Sequence, residues 1–189
     1  MIGILRQSDP EASRALSELI FGDDLKKKER WFKLLEDPVF ASKFKFNNLD
    51  EERELAFHRL QKVADAKLFS IFDFENDPVN LFTCHEMLGT VDGSVATKFT
   101  VQNNLFGGTL MALSTPQHLP LLKQVDSLKI MGCFCFTELG YGNNAPKMET
   151  TAIYDKATQT FTINSPSTLS QKYWITNGAC HANYAIVFA

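Results

Sequence analysis

Apolar residues recur at helical spacing near the start of the chain. Ser8-Asp9-Pro10-Glu11 has the spacing of a capping box, in which the serine hydroxyl and the glutamate carboxylate accept hydrogen bonds from first-turn N–H groups. Apolar side chains then follow every three or four residues, at Ala12, Ala15, Leu16, Leu19 and Ile20. This pattern predicts a first helix that ends at Gly22.

Further helices are predicted between residues 24 and 127. The second helix covers residues 24–36, and the third begins after a cap at Asn48. The fourth covers 78–89 and follows Asp77. A fifth begins at Asp92 and continues past Leu105, and a short sixth runs from Thr115-Pro116 to about Ser127. The segment after Asp92 is unusually apolar, which is typical of a helix at the centre of a bundle. Gly107-Gly108 lies in or at the end of that segment, where close helix packing and a break are both consistent with the sequence.

After Ile130 the pattern changes from helical spacing to short alternating runs. Strands are predicted over 133–137, 150–154, 160–164, 172–176 and 185–188, and the turn-rich stretch 155–159 makes the second and third a hairpin. We therefore predict an α+β fold with a boundary near residue 130. An amino-terminal all-α helical domain (1–130) is followed by the start of an antiparallel β domain (131–189).

The last residues form the apolar run 185–189, and the chain ends inside it. An unpaired apolar strand at the edge of a sheet promotes aggregation, so a natural β domain rarely finishes in this way. The sequence is therefore expected to be a fragment, although a short terminal strand that is paired on both sides is the alternative.

Composition narrows the function classes. The formal net charge is −3 and 44% of the residues are hydrophobic, so the chain lacks the basic character expected of a nucleic-acid-binding protein. No apolar run reaches about 18 residues, and no membrane-spanning helix is predicted. The four cysteines form no CxxC pair, and neither His85 nor His181 has a second ligand pair at metal-binding spacing. Cys133 and Cys135 alternate in an apolar run, which indicates small buried side chains on one strand face.

A first candidate site is the segment 132–144, where a predicted strand runs into a glycine-rich loop. Such a loop exposes backbone N–H groups, and the Thr137 hydroxyl lies at its start, which suits a planar polar ring or a phosphate. Gly140-Tyr141-Gly142 lacks the third glycine of a dinucleotide-binding fingerprint, and no βα unit follows. On these residues alone, an ordinary strand and its turn are the better explanation of the segment.

A second candidate site is the segment 172–178. If it is a strand, Trp174 and Thr176 face the same side, so an indole and a hydroxyl could pack on a flat aromatic cofactor and bond its edge. A core tryptophan next to a turn is the simpler interpretation of this segment alone.

Taken together, the two segments resemble the acyl-CoA oxidase branch of the acyl-CoA dehydrogenase superfamily. Their order and separation match, and Glu149-Thr150-Thr151 and Asn164-Ser165-Pro166 between them are oxidase-like. The resemblance extends over essentially the whole chain and is strongest from Gly132 to Ala189. It implies a helical domain, a β domain and a carboxy-terminal helical bundle, the last of which is absent from these 189 residues, with FAD between the β domain and the bundle.

The resemblance also implies which residues bind the cofactor. Thr137 matches a position whose side chain donates a hydrogen bond to the pyrimidine side of the flavin. Trp174 matches a position whose side chain packs on the flavin ring, and Thr176 matches a position whose side chain reaches toward the flavin N5. Asn143 matches a position, often serine or threonine, that contacts the cofactor or the CoA thioester chain. The full set of expected cofactor-binding residues is Phe134, Phe136, Thr137, Gly140, Asn143, Trp174, Ile175 and Thr176.

The implied reaction is the α,β-dehydrogenation of a fatty acyl-CoA, with electrons passed to molecular oxygen to give hydrogen peroxide. The family's catalytic glutamate is expected beyond Ala189, and Glu138 and Glu149 are interpreted as structural, so no catalytic residue is assigned and this chain alone is expected to be inactive. The family also implies a peroxisomal homodimer. Thr176 stands where many oxidases have glycine, which keeps an acyl-CoA dehydrogenase as an alternative, alongside a non-catalytic truncated binding module and an unrelated helical-plus-β protein.

Overall fold

A computed structural model describes residues 9–22, 24–41 and 46–189. The α-helices are α1 (Pro10–Phe21), α2 (Leu25–Leu35), α3 (Leu49–Ala66), α4 (Asp73–Asn76), α5 (Pro78–Gly89), α6 (Gly93–Phe99), α7 (Gly108–Leu113) and α8 (Leu119–Asp126). A π-helical segment (Thr100–Gly107) joins α6 to α7, and short 3₁₀ turns occur at Pro38–Phe40, Pro116–His118 and Ala145–Lys147. The strands are β1 (Gly132–Cys135), β2 (Thr151–Asp155), β3 (Thr160–Asn164) and β4 (Tyr184–Val187). The described part of the chain is therefore helix-rich with few strands.

The predicted helix starts are confirmed at the capping residues. Asp24 and Asn48 accept hydrogen bonds from the backbone N–H groups of Lys27 and Glu51 and cap α2 and α3. The predicted cap Ser8 lies outside the described residues, and Asp9 caps α1 instead. These side chains satisfy N–H groups that a first helical turn leaves without a backbone acceptor.

The chain forms two compact units, residues 1–96 and 97–189. In the first, Arg59 is buried and its guanidinium donates to the Val39 and Ala41 carbonyls at 2.7 Å each and to Asp92 at 2.5 Å. These bonds link α3, the 3₁₀ turn and the start of α6 around a buried charge whose three nitrogens each donate a hydrogen bond. The predicted domain boundary near residue 130 lies inside the second unit and remains a prediction.

The second unit is organised around the π segment. Gln102 is fully buried; its side-chain Nε2 donates to the Ile130 carbonyl at 2.9 Å, and its Oε1 accepts from the Gly132 N–H at 2.9 Å. Gly132 has no side chain, and a Cβ there would lie 1.9 Å from the Phe106 ring. The strand β1 therefore approaches the helix closely because position 132 is glycine.

The strands of the described residues form two small sheets of two strands each. The β2–β3 hairpin is antiparallel and pairs Ile153 with Thr162, as the sequence predicts. The prediction is wrong for β1 and β4, which pair in parallel with Gly132 opposite Tyr184. It is also wrong for 172–176, which is a loop with a single bridge from Lys172 to Glu138.

One face of the β2–β3 hairpin is apolar and exposed. The register places Tyr154 opposite Phe161, with ring centroids 4.9 Å apart, and Ala152 opposite Ile163 on the same face. Every residue of both strands is solvent-exposed. Within the described residues these two strands form a sheet of their own.

Neither a membrane span nor a metal cluster is found in the part of the chain that the structure describes. No helix there combines the length and apolar character needed to cross a bilayer. No group of three or more histidine, cysteine, aspartate or glutamate side chains there is arranged to hold a metal ion.

Candidate functional site

A cavity of about 230 Å³ lies within the second unit and gathers residues from three segments. The π segment contributes Val101 and Leu105, β1 and the residues after it contribute Phe134, Phe136 and Thr137, and the loop after Lys172 contributes Trp174 and Thr176. Its lining is thus mainly aromatic and aliphatic, with two threonine side chains among the lining residues. Such a combination binds flat molecules that have an apolar body and a polar rim.

The alternation of β1 explains why phenylalanines face the cavity. Phe134 and Phe136 point to one side of the strand direction and contact the ring of Phe188, with centroid distances of 4.8 Å to each. Cys133 and Cys135 lie on the other side, with their sulfur atoms 3.6 Å apart as free thiols. Burial raises the pKa of the Cys133 thiol to about 11, so it stays protonated at neutral pH. Cys133 is buried as predicted, whereas Cys135 is only half-buried.

The loop after Lys172 is held against Thr137 at two points. The Tyr173 N–H donates to the Thr137 carbonyl at 3.0 Å, and the Thr137 hydroxyl donates to the Tyr173 carbonyl. Trp174 follows with φ +66°, in the left-handed region that a bulky residue rarely adopts, and its side chain is 88% exposed. A conformation of this kind costs about 1–3 kcal/mol and persists only where the surroundings impose it.

Glu138 is a buried acceptor beneath this loop. Its carboxylate accepts from the backbone N–H groups of Glu149 and Thr150 at 2.9 and 3.0 Å, from the Thr150 hydroxyl at 2.5 Å, and from Lys172 Nζ at 3.1 Å. Burial alone would raise the pKa of this carboxyl, but these donors outweigh it and lower the pKa to about 2.

The Glu149 carboxylate also accepts hydrogen bonds from side chains of this unit. Its carboxylate accepts from the Tyr141 hydroxyl and, at 2.9 Å, from the Ser167 hydroxyl. The bond to Glu149 raises the pKa of Tyr141. Neither Glu138 nor Glu149 lines the cavity, and their structural roles stay a prediction.

Of the eight expected cofactor-binding residues, five line the cavity: Phe134, Phe136, Thr137, Trp174 and Thr176. The other three lie outside its lining. Gly140 packs so closely on Leu169 that a Cβ would lie 2.7 Å from it, Asn143 is exposed in a turn, and the Ile175 carbonyl accepts from the Gly178 N–H. Their part in cofactor binding stays a prediction.

Val101 and Leu105 were missed by sequence reasoning. They are four residues apart in a helical segment, so they resemble ordinary core positions. The segment after Asp92 is unusually apolar and has more apolar positions than a single buried stripe requires. This excess could have indicated that some of its side chains line a cavity.

Comparison with known proteins places this fold in a defined class. No profile of a known protein family matches the chain. The crystal structure of acyl-CoA oxidase 1 from Yarrowia lipolytica has a TM-score of 0.74 with 26% identity and covers 92% of this chain and 26% of its own. Acyl-CoA oxidase-2 of Caenorhabditis elegans, solved with FAD, ascaroside-CoA and ATP, has the same fold, with a TM-score of 0.71, 24% identity and coverage of 93% of this chain and 27% of its own. The helix-rich fold is therefore that of the acyl-CoA oxidase structures.

Sequence similarity agrees with the fold. Human peroxisomal acyl-coenzyme A oxidase 3 is 34% identical over 167 residues, which cover 87% of this chain and 24% of the human protein. The chain is thus a homologue of the acyl-CoA oxidases, as its motifs predict, and it spans about a quarter of the length of the curated relatives that it matches.

Proposed function

We propose that this chain is part of an FAD-dependent acyl-CoA oxidase of fatty-acid β-oxidation. The reaction is the conversion of a fatty acyl-CoA to the trans-2-enoyl-CoA, with electrons passed to molecular oxygen to give hydrogen peroxide. The observation that carries the proposal is the cavity in which Trp174, Thr137 and Thr176 meet, because these are the residues that the two motifs single out. The similarity to acyl-CoA oxidases over most of the chain supports it.

The residues present fit the ring of a flavin. Phe134 and Phe136 offer an apolar surface, the exposed Trp174 indole can stack on a flat ring, and the hydroxyls of Thr137 and Thr176 can bond a polar edge. A cavity of about 230 Å³ is below the roughly 300–1,000 Å³ of drug-sized ligand sites. We therefore assign these residues to the ring alone and the rest of FAD to groups outside this cavity.

When bound, FAD would supply the acceptor for the hydride that leaves the substrate's β carbon. The aromatic side chains of Phe134, Phe136 and Trp174 would contact the flat face of the ring and orient it. The Thr137 hydroxyl, which donates to the Tyr173 carbonyl, can accept a bond from a ring N–H in this rotamer or rotate to donate to a ring carbonyl.

The α proton of the substrate must be removed by a base, and we propose that this base lies outside the cavity lining. Val101, Leu105 and the other lining residues include no carboxylate, while Glu138 is held in its ionised form by four donors. We accordingly propose that these 189 residues alone do not oxidise acyl-CoA. A positioned hydrogen-bond donor on the thioester carbonyl, worth about 10²–10³ in rate in comparable enzymes, would also come from elsewhere.

We further propose that the complete protein works in the peroxisome as a homodimer. The human relative is named as peroxisomal, and dimerisation is carried over from the family resemblance. The finer domain division, with helices in 1–130 and the start of a flavin-binding β domain in 131–189, is part of the same proposal.

Visible absorbance and oxygen uptake of the complete natural gene product test this function. A flavin spectrum together with peroxide formation on addition of a fatty acyl-CoA is expected. Reduction of an electron-transfer flavoprotein without oxygen uptake would instead assign a dehydrogenase, the alternative that Thr176 favours. A colourless protein that ignores acyl-CoA would reject both enzymes. A Trp174→Ala variant, matched by Tyr173→Ala next to it, separates loss of ring stacking from general damage to the loop.

A further inference from the structure

We propose that Lys98 is a positioning residue for the cavity, acting through Asn177 on the loop that carries Trp174 and Thr176. The expected effect of Lys98 on the reaction rate rests on the proposed function. Its effect on the position of the loop does not depend on a bound cofactor. Lys98 lies in α6, 6% exposed, and does not itself line the cavity.

The buried ammonium of Lys98 has two partners near the end of this loop. Its Nζ donates to the Asn177 side-chain Oδ1 at 2.8 Å and lies 3.0 Å from Nδ1 of His181. A lysine ammonium has three donors and no acceptor, so Nδ1 of His181 is the accepting nitrogen in this contact. Asn177 is itself buried, 4% exposed.

Asn177 connects this ammonium to both the loop and β1. Its side-chain Nδ2 donates to the Gly132 carbonyl at 3.3 Å. Its backbone carbonyl accepts from the N–H groups of Cys180 and Ala182 at 3.2 and 3.1 Å. With φ +69° it has the left-handed conformation that asparagine tolerates better than most residues. One buried side chain thus fixes where the loop leaves the cavity.

The loop is therefore held at both ends. At the start, Tyr173 is bonded to Thr137 through two hydrogen bonds; at the end, Asn177 is bonded to Lys98 and Gly132. Between these two points Trp174 is 88% exposed, so its own side chain contributes little packing to keep it in place. Loss of the ammonium removes a charge-assisted bond from Asn177, and we expect Trp174 and Thr176 to lose their fixed position.

Fluorine NMR of the complete gene product labelled with 5-fluorotryptophan tests this directly. These 189 residues contain two tryptophans, the buried Trp31 and the exposed Trp174, and a Trp174→Phe variant assigns the resonances. Lys98→Met should shift and narrow the Trp174 resonance and leave that of Trp31 unchanged. Lys123→Met, at an exposed lysine of α8, is the matched control and should move neither. Lys98→Arg keeps a donor and should restore part of the wild-type Trp174 signal.

A second variant covers the case in which Lys98→Met does not fold. Asn177→Gly keeps the left-handed backbone but removes both side-chain bonds, so it should alter the Trp174 resonance in the same way. A folded Lys98→Met or Asn177→Gly protein with an unchanged Trp174 resonance would overturn the proposal.

The enzyme assay separates this inference from the proposed function. If the wild-type protein is an oxidase, Lys98→Met should lower kcat by up to about 10²-fold, since a displacement of about 1 Å in a site has that effect. If the wild-type protein has no flavin and no activity but Trp174 still responds to Lys98→Met, the proposed function fails and the positioning role stands. If the wild-type protein is active and neither Trp174 nor kcat responds, the positioning role is wrong and the function stands.

Discussion

Thr137 and Tyr173 are bonded to each other through both a backbone and a side-chain hydrogen bond, although 36 residues separate them in sequence. The Thr137 carbonyl accepts from the Tyr173 N–H, and the Thr137 hydroxyl donates to the Tyr173 carbonyl. This pair fixes the distance between the end of β1 and the loop that carries Trp174. The segments 132–144 and 172–178, which the sequence singles out, are therefore linked to each other by direct hydrogen bonds.

Thr137→Val tests the contribution of the hydroxyl to this link. Valine keeps the shape of threonine but leaves the Tyr173 carbonyl without its side-chain donor. We expect the free energy of unfolding to fall by about 1 kcal/mol, the usual contribution of one neutral hydrogen bond. Urea denaturation followed by circular dichroism measures it. Thr137→Ser retains the hydroxyl and should lose less; equal losses in both variants would show that the methyl packing matters instead.

Glu138→Gln tests the buried carboxylate. Glutamine turns one accepting oxygen into a donating NH₂ group. In one orientation this group faces the Glu149 N–H, and in the other it faces the donors of Thr150 and Lys172. The free energy of unfolding should fall by about 3 kcal/mol, as expected when a buried charge-assisted network loses its anion. Glu29→Gln at an exposed glutamate makes the same chemical change and should alter stability by less than about 0.5 kcal/mol. A small effect at Glu138 would mean that water replaces the lost acceptor.

The same carboxylate predicts a pH dependence of stability. The pKa of Glu138 falls from 4.5 to about 2 on folding, so the folded state favours the ionised form. Its contribution is fully present above about pH 4.5 and is lost as the pH falls from there toward 2. Urea midpoints measured between pH 6 and 2 should fall more steeply for the wild type than for Glu138→Gln. Parallel curves would assign the acid sensitivity to other carboxylates.

Gly132→Ala tests the close approach of β1 to the π segment. The added Cβ would lie 1.9 Å from the Phe106 ring, so the strand or the ring must move. We expect a destabilisation of about 1–3 kcal/mol, typical of overpacking. Gly93→Ala adds the same atom where nothing lies within 4 Å and should be close to neutral. Phe106→Leu should recover part of the loss in the Gly132→Ala background, and the thermal midpoint of each variant measures the outcome.

Local signals in the sequence were sufficient for the helices and the hairpin. Asn48 and Asp24 cap helices because their side chains bond the first turn wherever the chain goes next. The β2–β3 hairpin likewise depends on neighbouring residues and its turn, in which Asp155 accepts from the Ala157 N–H. The starts of α2 and α3 and both hairpin strands were predicted within a residue or two, whereas the short helix α4 and the π-helical segment were not predicted.

Pairings between distant segments were beyond the sequence. The parallel alignment of β1 with β4 depends on contacts across about fifty residues, which alternation cannot encode. The segment at Trp174 is predicted as a strand because its composition is strand-like, whereas Trp174 and Asn177 have left-handed backbone conformations in a loop. Trp174 and Thr176 nevertheless line one cavity, although the segment is a loop and not the predicted strand, and their part in cofactor binding stays a prediction.

The exposed apolar face of the β2–β3 hairpin has a practical consequence for the colloidal behaviour of this polypeptide. A ribbon that shows Tyr154, Phe161 and Ile163 to solvent and leaves strand edges open is a template for intermolecular β-addition. Concentrated samples of these 189 residues alone should self-associate through this ribbon. The extent of association should increase with ionic strength, because salt screens the repulsion between charged chains. A Phe161→Lys substitution would place a positive charge on the exposed apolar face and should keep such samples from self-associating.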